Sequence, residues 1–196
     1  MKLLLTSNGL STEKIKKEFL RLVGKPVGEI KILFMTTASG AHKVPTPWLD
    51  RDKEILFNLG ISKNNLVEFN FDKKIKIEEF DVLFIEGGNT YYLLKRIREE
   101  GFDKEILLFV KKNRLYLGVS AGSVLAGPDI SISHGDDNLG LTDFTGLKLI
   151  DKVICPHFQK KDPIIIENFE KKTKCKTLPL NDGQALLIEG KMEEII

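Results

Sequence analysis

The strongest constraint on this chain is its alternation of short, almost wholly apolar runs with amphipathic stretches. Residues 2–6, 30–36, 66–71, 81–85 and 114–119 are dominated by Leu, Ile, Val and Phe. A strand apolar at successive positions leaves neither face for water, so both faces must be covered. The intervening segments have helical spacing. Ile15, Phe19, Leu22 and Val23 form one stripe, with Ser11 placed as a cap before it and Gly24 after it. Thr46-Pro47 predicts a helix start, with proline in the first turn and an end at Gly60. Further helices are expected after Glu86–Thr90, over about 103–112, and from Asp162-Pro163 to about Lys172. Gly127-Pro128 ends any helix after Ser120. Residues 129–149 predict short strands and loops, 153–155 a small apolar run, and 177–180 and 185–188 two final strands.

This rhythm predicts an α/β fold: a mostly parallel sheet with helices on both faces. With 196 residues and no repeat, linker or composition break, residues 1–196 read as a single domain. In such sheets ligands sit beyond the carboxyl ends of the strands. The residues after the fourth and fifth runs are therefore the first place to look for chemistry.

Composition narrows the classes. Lys and Arg number 30 against 28 Asp and Glu, a net charge of +2. That gives no general drive toward nucleic acid or an anionic membrane, and neither is expected as a partner. The apolar run at 1–5 stops at Thr6-Ser7-Asn8, too early for a secretion signal, and no stretch approaches the ~20 apolar residues of a membrane span. The two cysteines, Cys155 and Cys175, are too few for a disulfide scaffold. A cytoplasmic location is expected. No His/Cys cluster has metal-ligand spacing, so neither metal nor organic cofactor is expected.

Gly118-Val119-Ser120-Ala121-Gly122 fits G-x-S-x-G and lies between an apolar strand and a short small-residue helix. Such a turn strains the serine and exposes its hydroxyl, and the next N–H, from Ala121, can stabilise an oxyanion. The plainer readings are a packing turn or a phosphate cradle. A nucleophilic serine needs a base. The chain has three histidines, His42, His134 and His157. His157 is favoured because it follows an apolar run and Pro156. The orienting carboxylate is sought between Ser120 and His157, among Asp129, Asp136, Asp137, Asp143 and Asp151, with the loop pair Asp136-Asp137 leading. Glu86-Gly87-Gly88-Asn89-Thr90 is the other strand-end turn. Its glycines allow close approach of backbone to ligand, its N–H groups can donate to an oxyanion, and Asn89 or Thr90 can cap the next helix. Neither G-x-x-x-x-G-K-[ST] nor G-x-G-x-x-G occurs, so nucleotide binding lacks support.

Together, Glu86–Thr90, Gly118–Ser123, Pro156-His157-Phe158 and Asp182-Gly183-Gln184-Ala185 resemble peptidase family S51, which includes aspartyl dipeptidases and cyanophycinases. The resemblance covers about residues 80–190. It implies a flavodoxin-like fold related to class I glutamine amidotransferases, with Ser120 where those carry cysteine. It implies Ser120 as nucleophile, His157 as base, and the Gly88 and Ala121 N–H groups as oxyanion hole. It places the acid some 15–18 residues after the serine, hence at Asp136 or Asp137, since position 135 is glycine. Asn89, Thr90 and Gln184 are expected to shape the substrate pocket. Aspartyl dipeptidases of the family hold the substrate aspartate with an arginine after the catalytic histidine. This chain has no arginine after Arg114, leaving Lys160, Lys161, Lys171 or Lys172 for that task. The expectation is a serine-type peptidase of short peptides, as monomer or homodimer. The alternatives are an esterase or amidase on the same groups, and a non-catalytic module binding a small anion.

Overall fold

The computed structural model describes every residue except 42–45, 134–138 and 160–162. Its centre is a seven-stranded sheet in the order β3-β2-β4-β5-β1-β8-β9. The strands are β1 (Lys2–Thr6), β2 (Ile32–Met35), β3 (Leu66–Phe69), β4 (Val82–Ile85), β5 (Leu115–Val119), β8 (Ala185–Glu189) and β9 (Met192–Ile195). The five expected apolar runs are the parallel strands, and β8 and β9 close one edge antiparallel. A second, two-stranded sheet pairs β6 (Lys152–Cys155) with β7 (Lys176–Pro179).

Alternation along the strands divides the core between two faces. Leu4, Ile32, Phe34, Val82, Phe84, Leu115 and Leu117 meet Ile15, Phe19 and Leu22 of α1 (Glu13–Val23) and Leu56 of α2 (Pro47–Asn58). Leu3, Leu5, Leu33, Met35, Leu83, Ile85 and Tyr116 meet the opposite layer. That layer is α3 (Thr90–Glu99), α4 (Phe102–Lys111), α5 (Ala121–Leu125) and α6 (Pro163–Thr173). The expected α/β architecture, helices on both faces, is the one observed.

Three local expectations are corrected. The α1 cap is Thr12, whose hydroxyl accepts from the Ile15 N–H at 3.2 Å, and Ser11 lies one residue outside. Among the described residues of 129–149 there is no strand, only an isolated bridge between Asp129 and Thr145. β9 had no apolar signal because every residue in it is exposed at the sheet edge, and Glu193 and Glu194 supply the charge that edges tolerate.

Register places the chemistry. Leu5 and Ile85 both pair with Gly118, so Ser7, Glu86–Gly88 and Ser120 emerge side by side at one end of the sheet. Because β8 runs antiparallel, with Ala185 opposite Thr6, the turn before it reaches that same end. Cys155 O accepts from the Leu180 N–H and Leu180 O from the Phe158 N–H, at 2.9 and 3.1 Å, which ties His157 beside that turn.

At the opposite end, Asp81 is buried and accepts from Lys25 Nζ (2.7 Å), Arg114 Nη1 (2.5 Å) and the Lys31 N–H (3.1 Å). Burial pushes its pKa up, but the Lys25 and Lys31 hydrogen bonds and the charges of Lys25 and Arg114 outweigh this and hold it below the usual value. A depressed carboxyl contributes stability that is present above its unfolded pKa and lost as pH falls through its folded one. Asp81→Asn should therefore cost about 2 kcal/mol at neutral pH, the scale of a hydrogen bond to a charged group. The difference from the parent should shrink on acidification below the ordinary carboxylate range, as read by urea unfolding across pH.

Candidate active site

Ser120 joins β5 to α5 with φ 46° and ψ −103°, a strained turn that lifts the side chain off the sheet end. The sequence permits the turn because its glycines sit where nothing larger fits. A Cβ at Gly122 would come within 2.3 Å of Ile85 O, and one at Gly118 within 2.6 Å of the Gly122 carbonyl. The buried Tyr116 hydroxyl donates to Gly122 O at 2.6 Å, and Ser123 Oγ lies 2.8 Å from both Thr6 O and Gly118 O. Burial pushes the Tyr116 hydroxyl pKa up, so it remains a donor.

His157 also has positive φ, 55°, and its N–H donates to Ser7 Oγ at 2.7 Å. Its ring is placed between two side chains. Nε2 is 3.1 Å from Ser120 Oγ, and Nδ1 is 2.6 Å from Asp182 Oδ1. A carboxylate only accepts, so Nδ1 carries the proton and Nε2 presents its lone pair to the serine. Ser7 Oγ donates to the same Asp182 oxygen at 2.9 Å, bracing backbone and carboxylate together. Such a relay can take a proton from the serine hydroxyl.

The Gly88 and Ala121 N–H groups have no acceptor among the described residues, and both residues line one cavity with Ser120. Gly88 has φ 142°, and a Cβ there would fall 2.4 Å from Ala38 O. Ser39 Oγ donates to Gly87 O (2.9 Å) and the Asn89 N–H to Ala38 O (2.9 Å), fixing the turn. This cavity, about 350 Å³, also includes Thr90, Val124, Ile132, Cys155, His157 and Gln159. A second, about 360 Å³, adjoins it across Ser120 and His157 and is bounded by Ser7, Asn8, Trp48 and Arg51. Each is at the small end of ligand pockets.

Behind the Gly87-Gly88 turn lies a buried carboxyl pair. Glu86 is fully buried and Asp52 of α2 is 1% exposed. Glu86 Oε2 accepts from the Gly87 N–H and Asp52 Oδ1 from Arg51 Nε (3.2 and 2.6 Å). Their other oxygens, Glu86 Oε1 and Asp52 Oδ2, are buried without a donor. Burial, then the Asp52 charge, pushes the Glu86 pKa well up, and burial pushes that of Asp52 up as well. Both shifts favour the neutral forms, in keeping with two buried carboxyl oxygens that no N–H or O–H meets.

The expected site residues are placed as follows. Ser120, His157, Gly88, Ala121 and Thr90 meet at the first cavity. Asn89 caps α3 instead, accepting from the Tyr92 N–H at 2.9 Å. Gln184 lines neither cavity, and its Oε1 accepts from the Asn181 N–H at 2.9 Å, closing the turn that presents Asp182. Asp136, Asp137, His42, His134, Lys160 and Lys161 lie outside the described residues. Asp129 accepts from Ser131, and Asp143 pairs with Arg98 at 3.0 Å. Sequence reasoning missed Asp182 as the partner of His157 because it searched only between serine and histidine. The available signal was the Asp-Gly turn within 182–185.

Known proteins resemble this arrangement over most of the chain. The sequence model of peptidase family S51 matches residues 3–196. The uncharacterized peptidase Lmo0363 of Listeria monocytogenes serovar 1/2a is 30% identical, over 82% of this chain and 82% of its own. Peptidase E of Salmonella typhi is also 30% identical, over 83% of this chain and 71% of its own. A crystal structure from Listeria monocytogenes EGD-e, of a protein assigned to peptidase E, superposes with a TM-score of 0.82 at 25% identity, covering 100% of this chain and 97% of that one. That of a peptidase from an acI-B1 Actinobacterium shares the fold, with a TM-score of 0.61 at 14% identity, over 100% and 86%. Matched almost from end to end, this chain belongs to peptidase family S51 and is a serine-type peptidase.

Proposed function

We propose that the protein hydrolyses short peptides through a Ser120–His157–Asp182 triad and an acyl-enzyme. The observation that carries this reading is the continuous contact from Ser120 Oγ through the His157 ring to Asp182, at 3.1 and 2.6 Å. Ser120 Oγ attacks the scissile carbonyl carbon as its proton passes to His157 Nε2. The negative oxygen that results is met by the Gly88 and Ala121 N–H groups. Asp182 keeps the imidazole in the required tautomer and stabilises the imidazolium. His157 then protonates the leaving amine, the C–N bond breaks, and the acyl group stays on Ser120. Water, giving its proton to His157, resolves the ester and restores the serine.

Asp182 is proposed ahead of Asp136 and Asp137 because its carboxylate meets Nδ1 and is held by Ser7. The small cavities on either side of the serine favour peptides of few residues. A panel of dipeptides, dipeptide amides, acetylated tetrapeptides and simple esters tests the reading. Dipeptide hydrolysis should exceed tetrapeptide hydrolysis at least roughly tenfold in kcat/KM, one favourable interaction's worth. Cleavage of esters alone would identify an esterase. Tight anion binding with no hydrolysis would identify a binding module.

A further inference from the structure

One charge in the cleft has no part in that chemistry. Arg51, on α2, bounds the second cavity with Ser7, Asn8, Trp48, Gly87, Ser120 and His157, and it is the one permanent charge among the described residues lining it. Its guanidinium is held from two sides. Nε donates to Asp52 Oδ1 at 2.6 Å, and Nη1 donates to Asn8 Oδ1 at 2.8 Å. Two of its five N–H donors are thus committed, and the others belong to a side chain that is 40% exposed. Trp48 gives the cavity a rigid wall, since its indole N–H donates to Ser39 Oγ at 3.2 Å and Ser39 holds Gly87.

The simplest role for Arg51 is counter-ion to Asp52 and Glu86. Were both carboxyls ionised, two buried negative charges would face one cation and repel any further anion. Burial instead pushes both carboxyl pKa values up, which lowers the negative charge held behind Arg51. Asp182, the other acid near the guanidinium, is engaged by His157 and Ser7. The other donors of Arg51 meet no acceptor among the described residues, and the side chain lines the cavity that Ser120 also borders.

We propose that Arg51 is the specificity residue of the cleft, binding a carboxylate of the substrate in the second cavity while the scissile carbonyl lies between Gly88 and Ala121. This rests on the reading of Ser120 as nucleophile. Carboxylates are the anions that peptides carry, and a planar guanidinium matches one bidentately as a lysine does not. The carboxylate is either the free α-carboxylate of the leaving residue or an acidic side chain. The cation comes from a helix far ahead of the histidine, so the absence of arginine after Arg114 does not exclude an anionic substrate.

The test compares Ala-Ala with Ala-Ala amide, and Asp-Ala amide with Asn-Ala amide, for the parent, Arg51→Gln and Arg51→Lys. In the parent, kcat/KM should favour the carboxylate-bearing member of at least one pair, and the favoured pair identifies the source. In Arg51→Gln that ratio should fall roughly 10- to 100-fold, mainly through KM, as for loss of a hydrogen bond to a charged group. Arg51→Lys should recover part of it. Each ratio is taken within one variant, so it is insensitive to any loss of folded enzyme when Asp52 loses its partner. Equal losses on all four substrates, or no preference in the parent, would overturn the proposal. If the parent cleaves nothing, the nucleophile reading fails separately. Calorimetric titration of Ser120→Ala with Ala-Ala, Asp-Ala amide and their neutral counterparts then decides. A carboxylate preference abolished by adding Arg51→Gln supports the site, and its absence overturns it.

Discussion

Replacing Ser120 by alanine should lower kcat on a dipeptide substrate roughly 10⁴- to 10⁶-fold, the loss seen when a serine hydrolase loses its nucleophile. The size follows from what is removed. Without Oγ no acyl-enzyme forms, and the His157 ring has no nucleophile to activate. The Gly88 and Ala121 donors remain, and an oxyanion hole with substrate binding alone retains roughly 10³- to 10⁴-fold over water. Folding should change little, because the Ser120 backbone N–H, which donates to Thr6 O at 3.0 Å, is untouched. The measurement is kcat and KM beside a thermal melt. A small loss of activity in a folded variant would remove Ser120 from the mechanism.

The second large effect concerns the carboxylate. Asp182→Asn keeps the shape but replaces an acceptor with an amide, whose NH₂ donates to Nδ1 and moves the imidazole proton to Nε2, facing Ser120. Loss of the orienting carboxylate costs roughly 10⁴-fold in buried triads. Asp182 is 57% exposed, so water reaches the pair and roughly 10²- to 10⁴-fold is expected here. Asp136→Asn and Asp137→Asn, assayed side by side with it, should each fall short of tenfold, the step worth about 1.4 kcal/mol. A steep loss in either, with Asp182→Asn near the parent, would return the acid to the loop after Ser120. Melting temperatures should stay close throughout, since Asp182 carries no buried packing.

How much of this was legible depends on whether a residue's role is local. The parallel strands were readable because Leu3, Phe34, Phe84 and Leu117 sit in runs apolar on both faces. The elbow was readable because its glycines, backbone strain and nucleophile are consecutive. Asp182 was not, because its position opposite His157 depends on β8 pairing antiparallel with β1 and on the Cys155–Leu180 contact. No periodicity within 181–185 carries that. Gln184 had the composition of a pocket residue but is needed to close its own turn. The Asp52–Glu86 pair was equally hidden. In the sequence Arg51-Asp52-Lys53 reads as a solvated helix surface, and only tertiary packing, which sets the Asp52 carboxyl against Gly9 and beside Glu86, buries its middle residue.

Covalent trapping tests the central claim most directly. The protein is incubated with a fluorophosphonate, which phosphonylates an activated serine as fluoride leaves, and the adduct is located by intact mass and peptide mapping. The account requires one adduct, on Ser120, absent from Ser120→Ala and much slower to form in His157→Ala. A parent protein that hydrolyses dipeptides while the adduct forms on another residue, or not at all, would contradict it.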